Sequence, residues 1–328
     1  MSHVHDDAST QPPSSALAPD VSTLPLQPAL ACVGSLPPGT TLGPGGRYRI
    51  GQLLGQGGFA ETFSAYDTQL FDALCVIKRL HLHTGNSVRV QKLHAAGLVR
   101  EAELLAALKT PGHPHIPEIY AYLEDEGCLV MKYVEGVSLQ TVLEQRSTGL
   151  PEERALTYAY AACSALAYIH ARATLHLDLK PANLLVDSTD WLWLIDFGIG
   201  RTFTDATQPT ILGTPGYMPH EQQQGQPTPA SDIYALGMTL YVLLSNYSPA
   251  MPCLPPVRQL VPDVRPEVDA LICAATHADA AKRPSAHALL HQLRLLRAES
   301  TPSPRPRSLN SNPRSSTPMP PITHNVLV

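Results

Sequence analysis

The sequence predicts an α+β protein of two lobes, strands first and helices afterwards. Residues 47–83 alternate apolar and polar side chains with the period of a strand, whereas most segments after residue 137 repeat theirs with the period of a helix. The composition of the two ends bounds this folded unit. Of the 32 prolines, 8 fall in residues 1–46 and 7 in residues 298–328, and both stretches are rich in Ser and Thr and poor in aromatics. Such segments bury too little apolar area to offset the entropy of ordering. Residues 1–46 and 298–328 are therefore expected to be disordered tails around a folded unit at 47–297.

In chain order, "YRIGQLLGQGGFAETFSAYD" (48–67) and "ALCVIKRLHL" (73–82) are predicted strands joined by turns. A helix follows at about 87–109, then two short strands in "IPEIYAYLED" and "GCLVMKYVE". Helical periodicity returns at 153–171, 230–245, 265–277 and 285–298. No internal repeat of solenoid or propeller length is present.

At 44% hydrophobic and 16% charged over 328 residues, the chain has ample material for a buried core. A net charge of −5 gives no basic surface for nucleic acid. The longest apolar run, "ALGMTLYVLL" at 235–244, is half the roughly 20 residues that a bilayer requires. The start, "MSHVHDDAST", lacks the basic and apolar regions of a secretory signal. Six cysteines (32, 75, 128, 163, 253, 273) lie scattered, as reduced thiols would, so a cytoplasmic protein is expected. The histidine pairs at 81 and 83 and at 113 and 115 have no acid or cysteine at metal-ligand spacing and are taken as loop residues. Tyr158, Tyr160 and Tyr168 are taken as packing. The proline-rich ends are expected to be linkers, with docking of a partner as polyproline II the other use open to them.

Gly55, Gly57 and Gly58, in "LGQGGFA", fall in a turn between two strands, where backbone N–H groups approach a ligand closely and cradle phosphate oxygens. The following element is a strand, which excludes a dinucleotide-binding fingerprint. Lys78 sits among apolar residues of "CVIKRL" and requires an anionic partner. The helix near residue 100 offers one: Leu98, Ala102, Leu105 and Leu108 share a face, Glu101 lies at its edge and Glu103 points away. In "LHLDLKPANLLV" (175–186), Asp178 is a group that accepts a hydroxyl proton, Lys180 one that neutralises phosphoryl charge, and Asn183 an oxygen ligand suited to Mg²⁺. Thirteen residues later, Asp196 stands between an apolar strand and a glycine, placed to bridge metal and phosphate.

These motifs, in this order, resemble a eukaryote-type (Hanks-type) serine/threonine protein kinase, most like the short bacterial members, over residues 48 to 297. The resemblance implies a small β-rich N-lobe with one helix (47–134) and a larger, mainly helical C-lobe (135–297). It further implies that Leu54, Gly55, Gln56, Gly57, Gly58, Phe59, Ala60 and Thr62 form the loop and walls over ATP, with Val76 and Leu185 against the base. Met131 would be the gatekeeper, and Lys132 and Val134 the hinge residues offering backbone groups to adenine. Lys78 would pair with Glu101 and contact phosphate, Asp178 would be the catalytic base, Lys180 the phosphate-stabilising lysine, and Asn183 and Asp196 the ligands of Mg²⁺ or Mn²⁺. Within "GTPGYMPHE" (213–221), Thr214 should contact Asp178, and Glu221 should pair with Arg283. Asp232 should anchor the catalytic loop.

Four positions depart from the family pattern: Ala60 for the third glycine, Val76 for alanine, "PHE" for "APE", and Leu177 for the arginine before Asp178. That arginine binds an activation-loop phosphate and does not touch ATP, so its loss removes a switch and leaves the chemistry. The resemblance thus implies an enzyme acting on protein serines and threonines, itself included. A nucleotide-binding scaffold without activity is the alternative. The retained metal-and-base set argues against a scaffold, and "DLKP" with "GTPGYMPHE" against a small-molecule kinase.

Overall fold

The computed structural model describes residues 36–56, 60–80, 88–197, 201–202, 213–249 and 254–300. Among these residues six strands make the N-lobe: β1 (Thr41–Leu42), β2 (Tyr48–Gln56), β3 (Ala60–Asp67), β4 (Ala73–Leu80), β5 (Ile119–Leu123) and β6 (Cys128–Lys132), with one helix, α1 (Val88–Leu108), between β4 and β5. They pair antiparallel in the order β1-β2-β3-β4-β6-β5. Register divides the side chains between two faces. Phe63, Ile77 and Val130 are cross-strand neighbours and join Tyr48, Ile50 and Cys75 in a small core. On the other face Thr62, Lys78 and Leu129 line up, and Leu129 belongs instead to the large core shared with α1 and the C-lobe.

The larger lobe holds α2 (Leu139–Glu144), α3 (Glu152–His170), α4 (His220–Gln223), α5 (Pro229–Ser245), α6 (Val257–Leu260), α7 (Pro266–Ala275) and α8 (Ala286–Ser300). Two small sheets carry its loops: β7 (Gly136–Ser138), β9 (Leu184–Asp187) and β10 (Leu192–Leu194) form one, and β8 (Thr174–Leu175) pairs with β11 (Arg201–Thr202) in the other. Helix α5 is buried along nearly its whole length. It starts on a reciprocal cap between Thr228 and Ser231 and stops at Asn246, which is left-handed at φ 54. Among the described residues no helix is long and apolar enough to cross a membrane.

The expected domain limits need correction at the N-terminal side. Residues 36–46, counted above with the disordered tail, carry β1, and Leu36 and Leu42 pack on the small core. Composition misleads here because Gly43, Gly45 and Gly46 make a positive-φ turn (76°, 65° and 69°) that brings the chain back along β2. The Gly43 N–H is fixed by the Glu126 carboxylate at 2.8 Å. At the other end α8 continues to Ser300. Residues 1–35 and 301–328 lie outside the described residues, as do His81 and His83.

The other two histidines dock α1 on the larger lobe. Tyr168 of α3 donates to Leu108 O at 2.8 Å and accepts from Gly112 N at 3.2 Å. His113 accepts from His115 N at Nδ1, so its proton sits on Nε2, 3.2 Å from Ser164 Oγ. The His115 ring stacks on Trp191 at 4.4 Å. Burial, aided by His115 and Arg172, lowers the His113 imidazole to about 4. An unfolded histidine titrates near ~6.5, so between the two values the unfolded chain binds more protons. The stability contributed by this loop is therefore complete above about pH 6.5 and is lost as pH falls towards 4. The unfolding temperature should drop more steeply over that window in the parent than in His113→Gln. Superimposable profiles would refute the assignment.

Candidate active site

Lys78 lies on β4 opposite Thr62, where its ammonium reaches beneath the sheet. It donates to both Glu101 oxygens, at 2.9 and 2.8 Å, and to Asp196 Oδ1 at 2.8 Å. Burial disfavours the ammonium, but Asp196 and Glu101 outweigh it and hold Lys78 above the ordinary lysine range. Glu101 is 3% exposed on α1 beside buried Leu98, Ala102, Leu105 and Leu108, whereas Glu103 is exposed. Asp196 follows β10 with φ 63, and the next residue, Phe197, is buried edge-on against His176 at 4.9 Å between ring centroids. One cation thus joins the N-lobe sheet, its helix and a loop of the larger lobe.

The loop after β8 holds the second cluster. Asp178 accepts from Thr214 Oγ1 at 2.6 Å through Oδ1 and from Lys180 Nζ at 2.7 Å through Oδ2. Lys180 also donates to Thr214 Oγ1 at 2.7 Å, closing a triangle. Asn183 Nδ2 donates to Asp178 O at 2.8 Å and to Oδ2 at 3.1 Å, so the atom Asn183 could offer to a cation is its side-chain carbonyl oxygen.

A buried carboxylate, Asp232, fixes this loop from below, and a half-buried one, Glu221, ties α4 to the body of the lobe. Asp232, on α5, accepts from His176 N at 3.0 Å, Leu177 N at 2.7 Å and His170 Nε2 at 2.8 Å. Burial works against its charge, yet His170 and the backbone donors keep it below the usual carboxylate range. Glu221 accepts from Arg283 at 2.6 and 3.2 Å and from Ser231 at 2.8 Å. Burial raises Glu221, but the hydrogen bonds from Arg283, the backbone and Ser231, with the Arg283 charge, together hold it below the usual carboxylate range.

The sequence-predicted residues thus separate into those the structure brings together and those it only positions. Lys78, Glu101 and Asp196 meet, as do Asp178, Lys180, Asn183 and Thr214. Leu54 and Gly55 end β2 with Gln56, and Ala60 opens β3; Gly57, Gly58 and Phe59 lie outside the described residues. Val76 and Met131 are cross-strand neighbours, and Leu185 is buried on β9. The Lys132 N–H already donates to Glu118 O at 2.8 Å, and its ammonium lies 4.4 Å over the Trp193 ring, while Val134 follows outside the ladder. Two residues unmarked in the sequence also belong here. His170, at the end of α3, orients Asp232, and Gln222 donates to Leu177 O at 2.7 Å.

The donor set suits a hard cation that keeps most of its shell as water and phosphate: one carboxylate at Asp196 and one amide oxygen at Asn183. Among the described residues no cluster of three acids, histidines or cysteines forms a resident metal cage.

The model of the protein kinase domain matches residues 48–293. The chain belongs to that family. It is 36% identical over 216 residues to the serine/threonine-protein kinase PknA of Nostoc sp., covering 62% of this chain and 38% of that protein. It is 37% identical over 222 residues to serine/threonine-protein kinase C of Synechocystis sp. (62% and 40%), and 34% identical over 216 residues to PknB of Mycobacterium tuberculosis (62% and 33%). The chain thus spans about two fifths or less of the length of these relatives. The family implies ATP and a divalent metal, and this kinase domain carries an acid, an amide and a lysine disposed to meet them.

Arg283 is 1% exposed in its side chain, so removing it strands a carboxylate. Arg283→Ala should lower unfolding free energy by about 3–5 kcal/mol, read by chemical denaturation. A loss below about 1 kcal/mol would mean the pair is solvated in solution.

Proposed function

We propose that this chain is an ATP-dependent serine/threonine protein kinase that also phosphorylates itself. The observation that carries the reading is a pair of clusters: Asp178 held by Thr214, Lys180 and Asn183, and Lys78 held between Glu101 and Asp196. A substrate hydroxyl directed by Asp178 attacks the γ-phosphorus of ATP, the bond from that phosphorus to the bridging oxygen breaks, ADP departs, and the hydroxyl proton passes to the Asp178 carboxylate. Lys180 balances charge on the transferred group, and Lys78 orients the phosphates nearer the base. Asn183 and Asp196 would hold Mg²⁺ or Mn²⁺, which supplies neutralisation of phosphate charge when bound. The hinge after β6, with Val76, Met131, Leu54 and Leu185, would enclose adenine.

Leu177 bears on control. Its side chain is buried, 4% exposed, and has no donor for a phosphate. Activity in this reading does not depend on an arginine-clamped phosphothreonine. Thr207 and Thr210 lie outside the described residues, as does the Arg201 side chain.

The test is transfer of labelled phosphate from ATP in Mg²⁺ or Mn²⁺ to the protein and to a serine peptide. Asp178→Asn should lower turnover by about 10²–10⁴-fold, and Asp196→Asn should abolish metal-dependent labelling while the fold is kept. A parent that binds nucleotide but labels nothing, or an Asp178→Asn variant as active as the parent, would leave the inactive scaffold as the better description.

A further inference from the structure

Gln222 of α4 is 2% exposed, and its Nε2 donates to the carbonyl of Leu177 at 2.7 Å. The peptide unit that this carbonyl begins is the one entering Asp178, and its other end is held as well. The Asp178 N–H donates to His176 Nδ1 at 3.3 Å, which places the His176 proton on Nε2, 3.3 Å from Ile195 O. Leu177 has φ 67, a left-handed backbone that a branched residue enters at a cost. Such a conformation persists only where its surroundings over-determine it. Here the surroundings are Asp232 on the Leu177 N–H at 2.7 Å and Gln222 on the Leu177 carbonyl.

The approach to that carbonyl is shaped for the amide. Gly213 has φ 134, and a Cβ there would stand 2.6 Å from Gln222 Nε2 and 3.2 Å from Leu177 O. A side chain at 213 would push the amide off its acceptor. Next to Gln222, Glu221 is locked to Arg283 and Ser231. Consecutive residues of α4 therefore tie it in two directions, to the body of the lobe and to the loop that carries Asp178.

We propose that Gln222 is a positioning residue for phosphoryl transfer: its amide orients the Leu177–Asp178 peptide, and through it the Asp178 carboxylate. The proposal rests on the kinase reading above. A buried carbonyl without a donor is costly and the peptide would tilt to find one, and a shift of about 1 Å at a reacting group lowers rate by as much as about a hundredfold.

Two variants of the full chain test it. Gln222→Met keeps length and removes the N–H; its kcat on a serine peptide should fall about tenfold or more while the ATP KM stays within about twofold. Gln222→Glu donates to a carbonyl only when protonated, so its kcat relative to the parent should rise as pH is lowered from about 8 to about 6. Amide exchange by mass spectrometry, which needs no turnover, should quicken at 175–180 and 213–223 in the Met variant. A Met variant with the kcat and exchange of the parent would overturn the proposal, as would a Glu variant whose relative kcat is flat with pH. Faster exchange in a protein that turns over no ATP would reject the kinase reading and leave the peptide tie standing.

Discussion

A buried lysine must be neutralised, and in this chain the two carboxylates that do so come from two separate elements. Lys78 belongs to the N-lobe sheet, Glu101 to the helix behind it, and Asp196 to a loop of the larger lobe. Much of the N-lobe can be understood as what that meeting requires. The strand period puts Lys78 on the face opposite the small apolar core. The helix period puts Glu101 at the edge of a stripe of Leu and Ala. The loop from residue 108 to 116 docks the end of that helix on α3 through Tyr168 and His113, and beside β10 through His115.

The larger lobe solves a different problem, holding a polar loop still within an apolar surrounding. Its means are a buried acid, Asp232 under His176 and Leu177, and a half-buried one, Glu221 under Arg283 and Ser231. Each would be expensive alone; with its donors, Asp232 fixes the backbone that leads into Asp178, and Glu221 ties α4 to Arg283 and to the start of α5. Their contribution is geometry, which is the larger part of what a phosphoryl-transfer site needs from its protein.

Most of the site was legible in the sequence because its chemistry rests on residue types at fixed offsets from one another. Lys78, Glu101, Asp178, Asn183 and Asp196 stand out by type and order, and the paired elements follow from periodicity. Residues 36–46 were hidden because glycine and proline signal disorder by composition and a turn by position, and only the pairing with β2 distinguishes the two. His170 and Gln222 were hidden for another reason. Each acts on a backbone group or a carboxylate more than 40 residues away in the chain, and no local pattern marks such a partner.

The central claim is that Lys78 and Glu101 work as one unit, and a double-mutant cycle measures this directly. Phosphoryl transfer would be followed for Lys78→Met, Glu101→Gln and the two together. If the role of Glu101 is to place Lys78, the double variant should turn over within about threefold of Lys78→Met alone, a large departure from additivity. Losses that multiply, so that the logarithms of the two single effects add to within about 0.5 kcal/mol, would show that Glu101 acts separately and would contradict the account.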